Sequence, residues 1–200
     1  MTCTGTESAI SSSPTIRSTS IYVGRSLSCS GSTRTTGDYF KIVVNLRANA
    51  IDDELVELLK SVSCKRAFLG LESGSDRILE NIRKGETAAD MADGVARLKR
   101  GGIETSCSFV IGLPGETADT VRETISYARD IDPHMVVFNV CIPFPGTPIY
   151  EDTDQFDLII HDRMWFLKGI PNKPIISTSG LSRTEIQQMT ALCYKEFYGG

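Results

Sequence analysis

The chain has 200 residues and a mass of 21.9 kDa, enough for one domain with a buried core. Its formal net charge is −4 and its pI is near 5.3, which excludes the basic footprint of a nucleic-acid-binding protein. No apolar run approaches the roughly 18 residues of a membrane-spanning helix. Residues 1–30 also lack the basic-then-apolar order of a secretory signal. The sequence therefore predicts a cytoplasmic protein.

Residues 1–40 differ in composition from the rest of the chain. Eighteen of these 40 residues are Ser or Thr, against 20 of the following 160. Such a segment buries too little apolar surface to offset the entropy lost on ordering. We expect it to be largely disordered, with a short extended piece near residues 21–23. The chain is thus divided into this segment, a folded core over residues 41–150 and a C-terminal helical extension over residues 151–200.

Strand and helix patterns alternate from residue 41 onward. The apolar run over residues 42–46 predicts a buried strand. Asp52 and Asp53 then suit the positive end of a helix. The buried face of that helix is expected at positions with helical spacing, namely Leu55, Leu58, Leu59 and Val62. The apolar run over residues 67–71 predicts the second strand.

Two helices are predicted after this second strand. Ser75 is expected to cap the first of them, which carries the apolar positions Ile78, Leu79 and Ile82. The second helix has its apolar face at Met91, Val95 and Leu98. We expect it to stop at the consecutive glycines 101 and 102, because glycine is unfavourable inside a helix.

The alternation continues through the rest of the chain. Residues 106–113 and 135–142 predict a third and a fourth strand, separated by a helix that Thr117 is expected to cap. A last helix is expected to begin near Ser182. The apolar positions of these two helices are Val121, Ile125 and Ala128, then Ile186, Met189, Cys193 and Phe197. The order favours an α/β fold with a parallel sheet and crossover helices. Four strands do not close a barrel, so the folded part is expected to be a portion of a larger βα architecture.

Three of the predicted strand ends are unusual, and sites in parallel βα folds form at such ends. Glu72 lies between two glycines, where it either contacts a ribose or an amine, or caps the following helix; the residues alone leave both open. Residues 112–117 form a bare turn with Pro and Gly, which is either a tight connection or a wall for a flat ligand such as adenine. Residues 143–148 contain three prolines and no nucleophile.

The cysteines and histidines do not predict a metal site. The six cysteines are 26 to 52 residues apart, so the chain has no C-x-x-C pair, and we expect them to be small buried hydrophobes. His134 and His161 have no neighbouring ligand partner in the sequence and are expected to be structural or solvent-facing. The sequence also lacks a phosphate loop and a nucleophile elbow. It assigns no catalytic residue and no metal ligand.

Residues 45–198 resemble the C-terminal part of the catalytic domain of radical S-adenosylmethionine (SAM) enzymes. The nearest subgroup is the one whose members carry a cobalamin-binding domain ahead of the radical core. The matching segments follow the family order and cover roughly three-quarters of the chain. They are R-A-N-A-I-D (47–52), G-L-E-S-G-S (70–75), K-G-E-T (84–87), G-L-P-G-E-T (112–117), P-F-P-G-T-P-I-Y (143–150) and the tail 181–198.

This resemblance implies a partial (β/α)6 barrel, similar to a TIM barrel. It implies that a [4Fe-4S] cluster binds SAM and cleaves it reductively, so that a 5′-deoxyadenosyl radical abstracts a hydrogen atom from a substrate that the sequence does not identify. By the same resemblance, Glu72 and Ser73 face the ribose or methionyl part of SAM, Val110 and Gly112 line the adenine, and Arg47 makes a polar contact. It further implies a flavodoxin or ferredoxin as electron donor, and cobalamin in a longer parent protein.

One feature of the family is missing from this sequence. The family binds its cluster through C-x-x-x-C-x-x-C after the first strand, and Cys3 and Cys29 do not have this spacing. We expect either a fragment of a longer enzyme or an N-terminal region read in another frame. The alternative function is a SAM-binding or structural remnant without a cluster. An aldolase-type barrel is a third possibility, but Lys41 and Lys65 precede their strands rather than follow them.

Overall fold

The computed structural model describes residues 20–25 and 40–199. Its main sheet has five strands in chain order: β1 (Ser20–Arg25), β2 (Phe40–Leu46), β3 (Cys64–Glu72), β4 (Glu104–Ile111) and β5 (Met135–Val140). β1 pairs antiparallel with β2, and the other three pairings are parallel. The predicted α/β fold with a parallel sheet is therefore confirmed.

Helices connect the parallel strands and continue into the tail. They are α1 (Asp53–Ser61), α2 (Asp76–Asn81), α3 (Ala88–Arg100), α4 (Ala118–Ile131), α5 (Pro148–Glu151) and α6 (Arg183–Tyr198). Two short strands, β6 (Leu158–Ile160) and β7 (Ile176–Thr178), form a separate antiparallel pair before α6. The extension after residue 150 thus holds strands as well as the predicted helix. Within the described residues, no helix is both long and apolar enough to cross a membrane.

The predicted disorder of residues 1–40 concerns positions outside the described residues, except for β1 and the first residue of β2. The short extended piece expected near residues 21–23 is confirmed, because it lies within β1. By pairing with β2, β1 occupies the edge that a four-stranded sheet would leave open.

The two faces of the sheet differ in burial. Side chains that alternate along the strands pack under the helices as an apolar core: Val44, Leu46, Ala67, Leu69, Leu71, Cys107, Phe109, Ile111, Val136 and Phe138. Helix residues Met91, Val95, Leu98 and Val121 complete this core and are fully buried. We call the opposite side the open face; it carries Asn45, Phe68, Gly70, Ser108, Val110 and Asn139, which are exposed or half-buried. Parallel sheets are normally covered on both faces, so the open face needs an occupant.

Local signals placed most helix ends correctly. Thr117 accepts a hydrogen bond as the N-cap of α4, as predicted, and α6 begins next to Ser182, also as predicted. Ser182 and Thr87 accept the corresponding cap bonds of α6 and α3. The prediction that Ser75 caps α2 with its side chain is wrong. Ser75 is at the N-cap position, but its hydroxyl makes no cap bond; its backbone N–H donates to Ser73 Oγ instead.

The predicted buried face of α1 is also partly wrong. Leu59 is buried as expected, but Leu58 and Val62 are 52% and 44% exposed. Val56 is buried in their place, against Gly101, where an added Cβ would lie 2.3 Å from the Val56 side chain. The leucines of α1 fit two overlapping stripes, and the close approach of Gly101 selects the stripe that contains Val56.

Candidate functional site

The C-terminal ends of β2, β3 and β4 bring the predicted site residues to one edge of the sheet. Arg47 follows β2, Glu72 ends β3, and Gly112 follows β4. The register aligns Leu46 with Leu69 and Gly70 with Ser108. Arg47, Glu72 and Gly112 are therefore close in space although 25 or more positions separate each from the next in the sequence.

Glu72 has an unusual backbone. Its φ is +66°, in the left-handed region that side chains other than glycine rarely adopt, and the ladder between β3 and β4 shifts register between Gly70 and Glu72. The turn carries the carboxylate back over Gly70. A Cβ at residue 70 would lie only 2.6 Å from Glu72 Oε1. The bare glycine therefore makes room for the carboxylate on the open face.

Lys84 connects Glu72 to the rest of the site. Its Nζ donates to the carbonyl oxygen of Gly70 (2.7 Å) and to Glu72 Oε1 (3.4 Å). The same ammonium lies 3.5 Å from Glu86 Oε2. The Lys84 side chain is only 15% exposed, so its charge is poorly solvated and depends on these two carboxylates.

Glu86 is the buried centre of this charge cluster. Its side chain is fully buried, and it accepts a hydrogen bond from the backbone N–H of Asn49 (2.8 Å). Its other oxygen accepts from Arg47 Nη2 (3.2 Å), which also donates to the carbonyl oxygen of Lys84 (2.6 Å). Arg47, Glu72, Lys84 and Glu86 thus form one network, which we call the strand-end network.

The strand-end network retains one unsatisfied donor. Arg47 Nε is buried and has no hydrogen-bond partner among the described residues. A buried N–H without a partner costs free energy, so such groups are usually bonded to protein, water or a ligand. Arg47 Nε and the carboxylate of Glu72 are thus a donor and an acceptor of one network, connected through Lys84.

Sequence reasoning assigned no role to Lys84 or Glu86. K-G-E-T was noted only as part of the family resemblance. Apart from each other, their partners lie 12 to 39 positions away in the sequence. No local sequence pattern therefore predicts the network. The one available signal was the pair of opposite charges in a loop that follows a strand end.

Ser73 is placed differently from Glu72. It is fully buried, and its hydroxyl lies 3.2 Å from Thr124 Oγ1 of α4. The same hydroxyl accepts the Ser75 N–H (3.2 Å). Thr124 Oγ1 also accepts the N–H of Gly74 (3.0 Å). The Ser73 side chain therefore fastens the loop to α4, while the neighbouring Glu72 carries the carboxylate over Gly70.

Gly112 and Glu116 form a buried unit after β4. Gly112 has φ +91°, and its N–H donates to Glu116 Oε2 (2.5 Å). A Cβ at Gly112 would lie 3.2 Å from the ends of both Ile176 and Ile186, so the tail packs on it. Glu116 is fully buried, and its Oε1 has no partner within the described part of the chain. Burial raises the pKa of Glu116 to about 7, although the N–H groups of Gly112 and Leu113 oppose the shift.

Val110 lies on the open face at the wall of a cavity of about 770 Å³. This cavity runs along the end of β5 to α6, and its apolar lining includes Phe138, Ile142, Phe144 and Ile170. Phe144 and Ile170 are 56% and 81% exposed, so the cavity opens to solvent. Val110 and the strand-end network thus lie on the same face of the sheet. Gly70 under the Glu72 carboxylate is paired there with Ser108, two residues before Val110.

The described cysteines do not form a cluster site. Cys64, Cys107, Cys141 and Cys193 are all buried, and burial raises the pKa of the last three thiols to about 12. A thiol with so high a pKa is a poor source of the thiolate that an iron–sulfur cluster requires. Over residues 20–25 and 40–199, no three His, Cys, Asp or Glu side chains are grouped to hold a metal ion. The described residues therefore do not fit a [4Fe-4S] cluster.

Comparison with known families identifies the superfamily to which the chain belongs. The family model of the Radical SAM superfamily matches residues 22–128, which is more than half of the chain. The chain belongs to the radical SAM superfamily. The match covers residues 22–25 of β1 and all four residues of the strand-end network, and it ends in α4.

Relatives support this membership over most of the chain. An uncharacterized methyltransferase of Pyrococcus horikoshii is 30% identical over 152 residues, which are 76% of this chain and 33% of the relative. An anaerobic magnesium-protoporphyrin IX monomethyl ester cyclase of Cereibacter sphaeroides is 26% identical, over 80% of this chain and 26% of that protein. The chain thus spans about a third or less of the length of these radical SAM relatives.

Solved structures agree with the fold. Coproporphyrinogen III oxidase from Escherichia coli, a radical SAM enzyme, matches with a TM-score of 0.56 at 11% identity, over 78% of this chain and 32% of that one. The radical SAM methyltransferase TsrM from Kitasatospora setae, with cobalamin and a [4Fe-4S] cluster bound, matches with a TM-score of 0.53 at 22% identity, over 74% and 30%. At these identities the likeness concerns the fold of this radical SAM chain.

Proposed function

We propose that this chain supplies the SAM-facing wall of a radical SAM enzyme. On this proposal, β2 to β5 are consecutive strands of a partial (β/α)6 barrel, with residues 41–150 as its core and residues 151–200 as an extension. The observation that carries the proposal is the strand-end network, in which Lys84 holds the Glu72 carboxylate over Gly70 on the open face. Arg47 Nε in the same network has no partner among the described residues. Membership of the radical SAM superfamily supports SAM as the ligand of this site.

Each residue of the wall has a distinct task. Glu72 accepts hydrogen bonds from the ribose hydroxyls or the amino group of SAM, and Lys84 holds that carboxylate in place. Arg47 donates its free Nε–H to an acceptor on the ligand. Val110 and Gly112 line the adenine, and Ser73 fixes the loop that presents Glu72.

A [4Fe-4S] cluster, which the radical SAM family implies, would supply the electron for reductive cleavage of SAM. The described residues supply no ligands for that cluster, so we assign this chain only the binding and orientation of SAM. Cobalamin, a flavodoxin or ferredoxin electron donor and a cytoplasmic location belong to the same proposal. They rest on likeness to the subgroup, and the substrate is not assigned.

A second candidate function is a SAM-binding module without radical chemistry. The absence of three grouped metal ligands among the described residues favours it. Anaerobic reconstitution with iron and sulfide, followed by EPR with and without SAM, separates the two candidates. A [4Fe-4S] signal that changes with SAM supports the enzyme, and SAM binding without iron uptake supports the module.

Both candidate functions require that the chain binds SAM, and equilibrium binding of SAM to the full chain tests this requirement. We expect Glu72→Gln to weaken binding about tenfold or more, because hydrogen bonds to a charged group are among the stronger ones. Glu123→Gln, an exposed position on α4, is the matched control and should bind as the unmodified chain does. Equal affinity of Glu72→Gln and the control would overturn the assignment of Glu72.

A further inference from the structure

The outer edge of β5 presents backbone groups that no strand within the described residues satisfies. The N–H of Cys141 donates to Ile111 on β4 (2.8 Å), so the odd-numbered residues of this segment direct their backbone groups toward β4. By alternation, Val136 and Phe138 direct theirs away from the sheet. Unpaired edges of this kind invite a strand from another chain to add to the sheet.

Two tyrosines of α6 occupy these edge positions. The hydroxyl of Tyr198 accepts the N–H of Val136 (2.8 Å) and donates to the carbonyl oxygen of the same residue (2.6 Å). The hydroxyl of Tyr194 does the same at Phe138, with both distances 3.1 Å. Each phenol thus makes both bonds that a neighbouring strand would make to that residue.

The geometry of a helix alongside a strand explains the match. Tyr194 and Tyr198 are one helical turn apart, about 6 Å along the axis. Val136 and Phe138 are two strand residues apart, about 6.6 Å. The spacing of the two tyrosines along the helix is therefore close enough to the spacing of the two strand residues to allow two consecutive contacts. The rings are also held in place, since they stack on each other with centroids 6.3 Å apart, and Tyr194 packs edge-on against Phe138.

The series stops after two contacts. The next residue one turn earlier in α6 is Thr190, whose hydroxyl donates to the carbonyl oxygen of Ile186 within its own helix (2.8 Å). Val140, the next outward-facing position of β5, borders the cavity instead. The capped part of the edge is therefore Val136 to Phe138.

We propose that α6 is an edge-capping helix, in which Tyr194 and Tyr198 take the place of a missing strand and prevent β5 from pairing with a second copy of this chain. At the other edge of the sheet β1 is the outermost strand and pairs with β2. The outer neighbour of β2 is therefore a strand, whereas the outer neighbours of β5 are two phenol hydroxyls.

Amide hydrogen exchange by NMR on the full chain tests the capping. Tyr194→Phe keeps the ring and removes the hydroxyl, so we expect the Phe138 amide to exchange roughly fivefold to tenfold faster, with Val136 unchanged. Tyr198→Phe should have the reverse effect. Tyr150→Phe is the control, because its hydroxyl donates to Arg163 far from the edge (2.9 Å). Equal protection of both amides in all variants would overturn the proposal, as would an equal loss in the control.

Sedimentation velocity over a concentration series tests the consequence for self-association. We expect the double variant Tyr194→Phe/Tyr198→Phe to associate at lower concentration than the unmodified chain and the Tyr150→Phe control. If the double variant exposes both amides and still shows the same sedimentation as the control, the hydroxyls do not guard the edge against a second copy.

Discussion

The carboxylate of Glu72 can lie over the open face only because residue 70 is glycine. Gly70→Ala would place a Cβ 2.6 Å from Glu72 Oε1, a distance that real Cβ atoms do not tolerate. The obstructing atom ends a flexible side chain, so the carboxylate should move and the fold should remain. We expect SAM affinity to fall about tenfold and the free energy of unfolding to change by less than about 1 kcal/mol.

Ser108→Ala is the matched control for this change. Ser108 is the register partner of Gly70 on β4 and lies on the same face. Isothermal titration calorimetry with SAM and urea unfolding give the two quantities for both variants. An affinity that Gly70→Ala leaves unchanged would show that the position of the Glu72 carboxylate does not matter for binding.

Glu116 should make stability depend on pH in a direction opposite to that of most carboxylates. Burial raises its pKa to about 7, above the usual value of 4.5. The folded chain therefore binds the proton more tightly than the unfolded chain. This contribution is fully present below about pH 4.5, and it is lost as the pH rises to about 7.

Glu116→Gln should remove this pH dependence, because an amide does not titrate over this range. The difference in unfolding free energy between the unmodified chain and the variant should fall by roughly 3 kcal/mol between pH 4.5 and pH 7. Acids whose pKa is lowered, such as Asp90 and Asp162, change the stability with pH in the opposite direction. They are present in both proteins, so their effect cancels in the difference. Urea unfolding at several pH values measures the difference, and a difference that does not vary with pH would contradict the assignment.

At the scale of elements, Glu86 joins the segment after β2 to the loop between α2 and α3. Glu86→Gln removes the anion that faces Arg47 and Lys84 and should lower the unfolding free energy by about 1–3 kcal/mol. The loss should be smaller than for a fully buried pair, because the Arg47 side chain is 42% exposed.

Glu57→Gln is the control for this pair of elements. Glu57 forms an exposed ion pair with Lys60 at 2.7 Å on the surface of α1. Such pairs contribute little, so its loss should change the unfolding free energy by less than about 0.5 kcal/mol. Equal effects of the two substitutions in urea unfolding would mean that Glu86 does not hold these elements together.

The sequence predicted those elements whose signals are local. Thr117 and Ser182 cap helices because each bonds to a backbone N–H three residues later, and the glycines at 101 and 102 end α3 as expected. The buried face of α1 could not be predicted, because its leucines fit two stripes and the distant Gly101 selects one.

The candidate site was predictable only in part, for the same reason. Glu72 and the turn that contains Gly112 follow from the rule that parallel βα folds bind ligands at strand ends, whereas Val110 came from the family resemblance. The contacts of Glu86 with Arg47 and Asn49 span 37 to 39 residues of sequence and leave no periodic trace. The burial of Ser73 against Thr124, 51 residues away, is likewise a tertiary effect.

At the scale of the whole molecule, the sheet separates an apolar core from an open face. The helices cover one side, where Phe109 and Leu71 are fully buried. On the other side Asn45 and Asn139 are exposed, and Phe68 is 36% exposed. The chain spans about a third of the length of its Pyrococcus horikoshii relative.

The most direct measurement of the central claim is an NMR titration of the full chain with S-adenosylhomocysteine, an analogue of SAM that lacks the sulfonium methyl group. We expect saturable amide shifts confined to residues 70–73, 84–86 and 110–113, and the loss of these shifts in Glu72→Gln. Saturation without these shifts, or shifts centred on the helical side of the sheet, would contradict the claim that the strand ends form a SAM-facing wall.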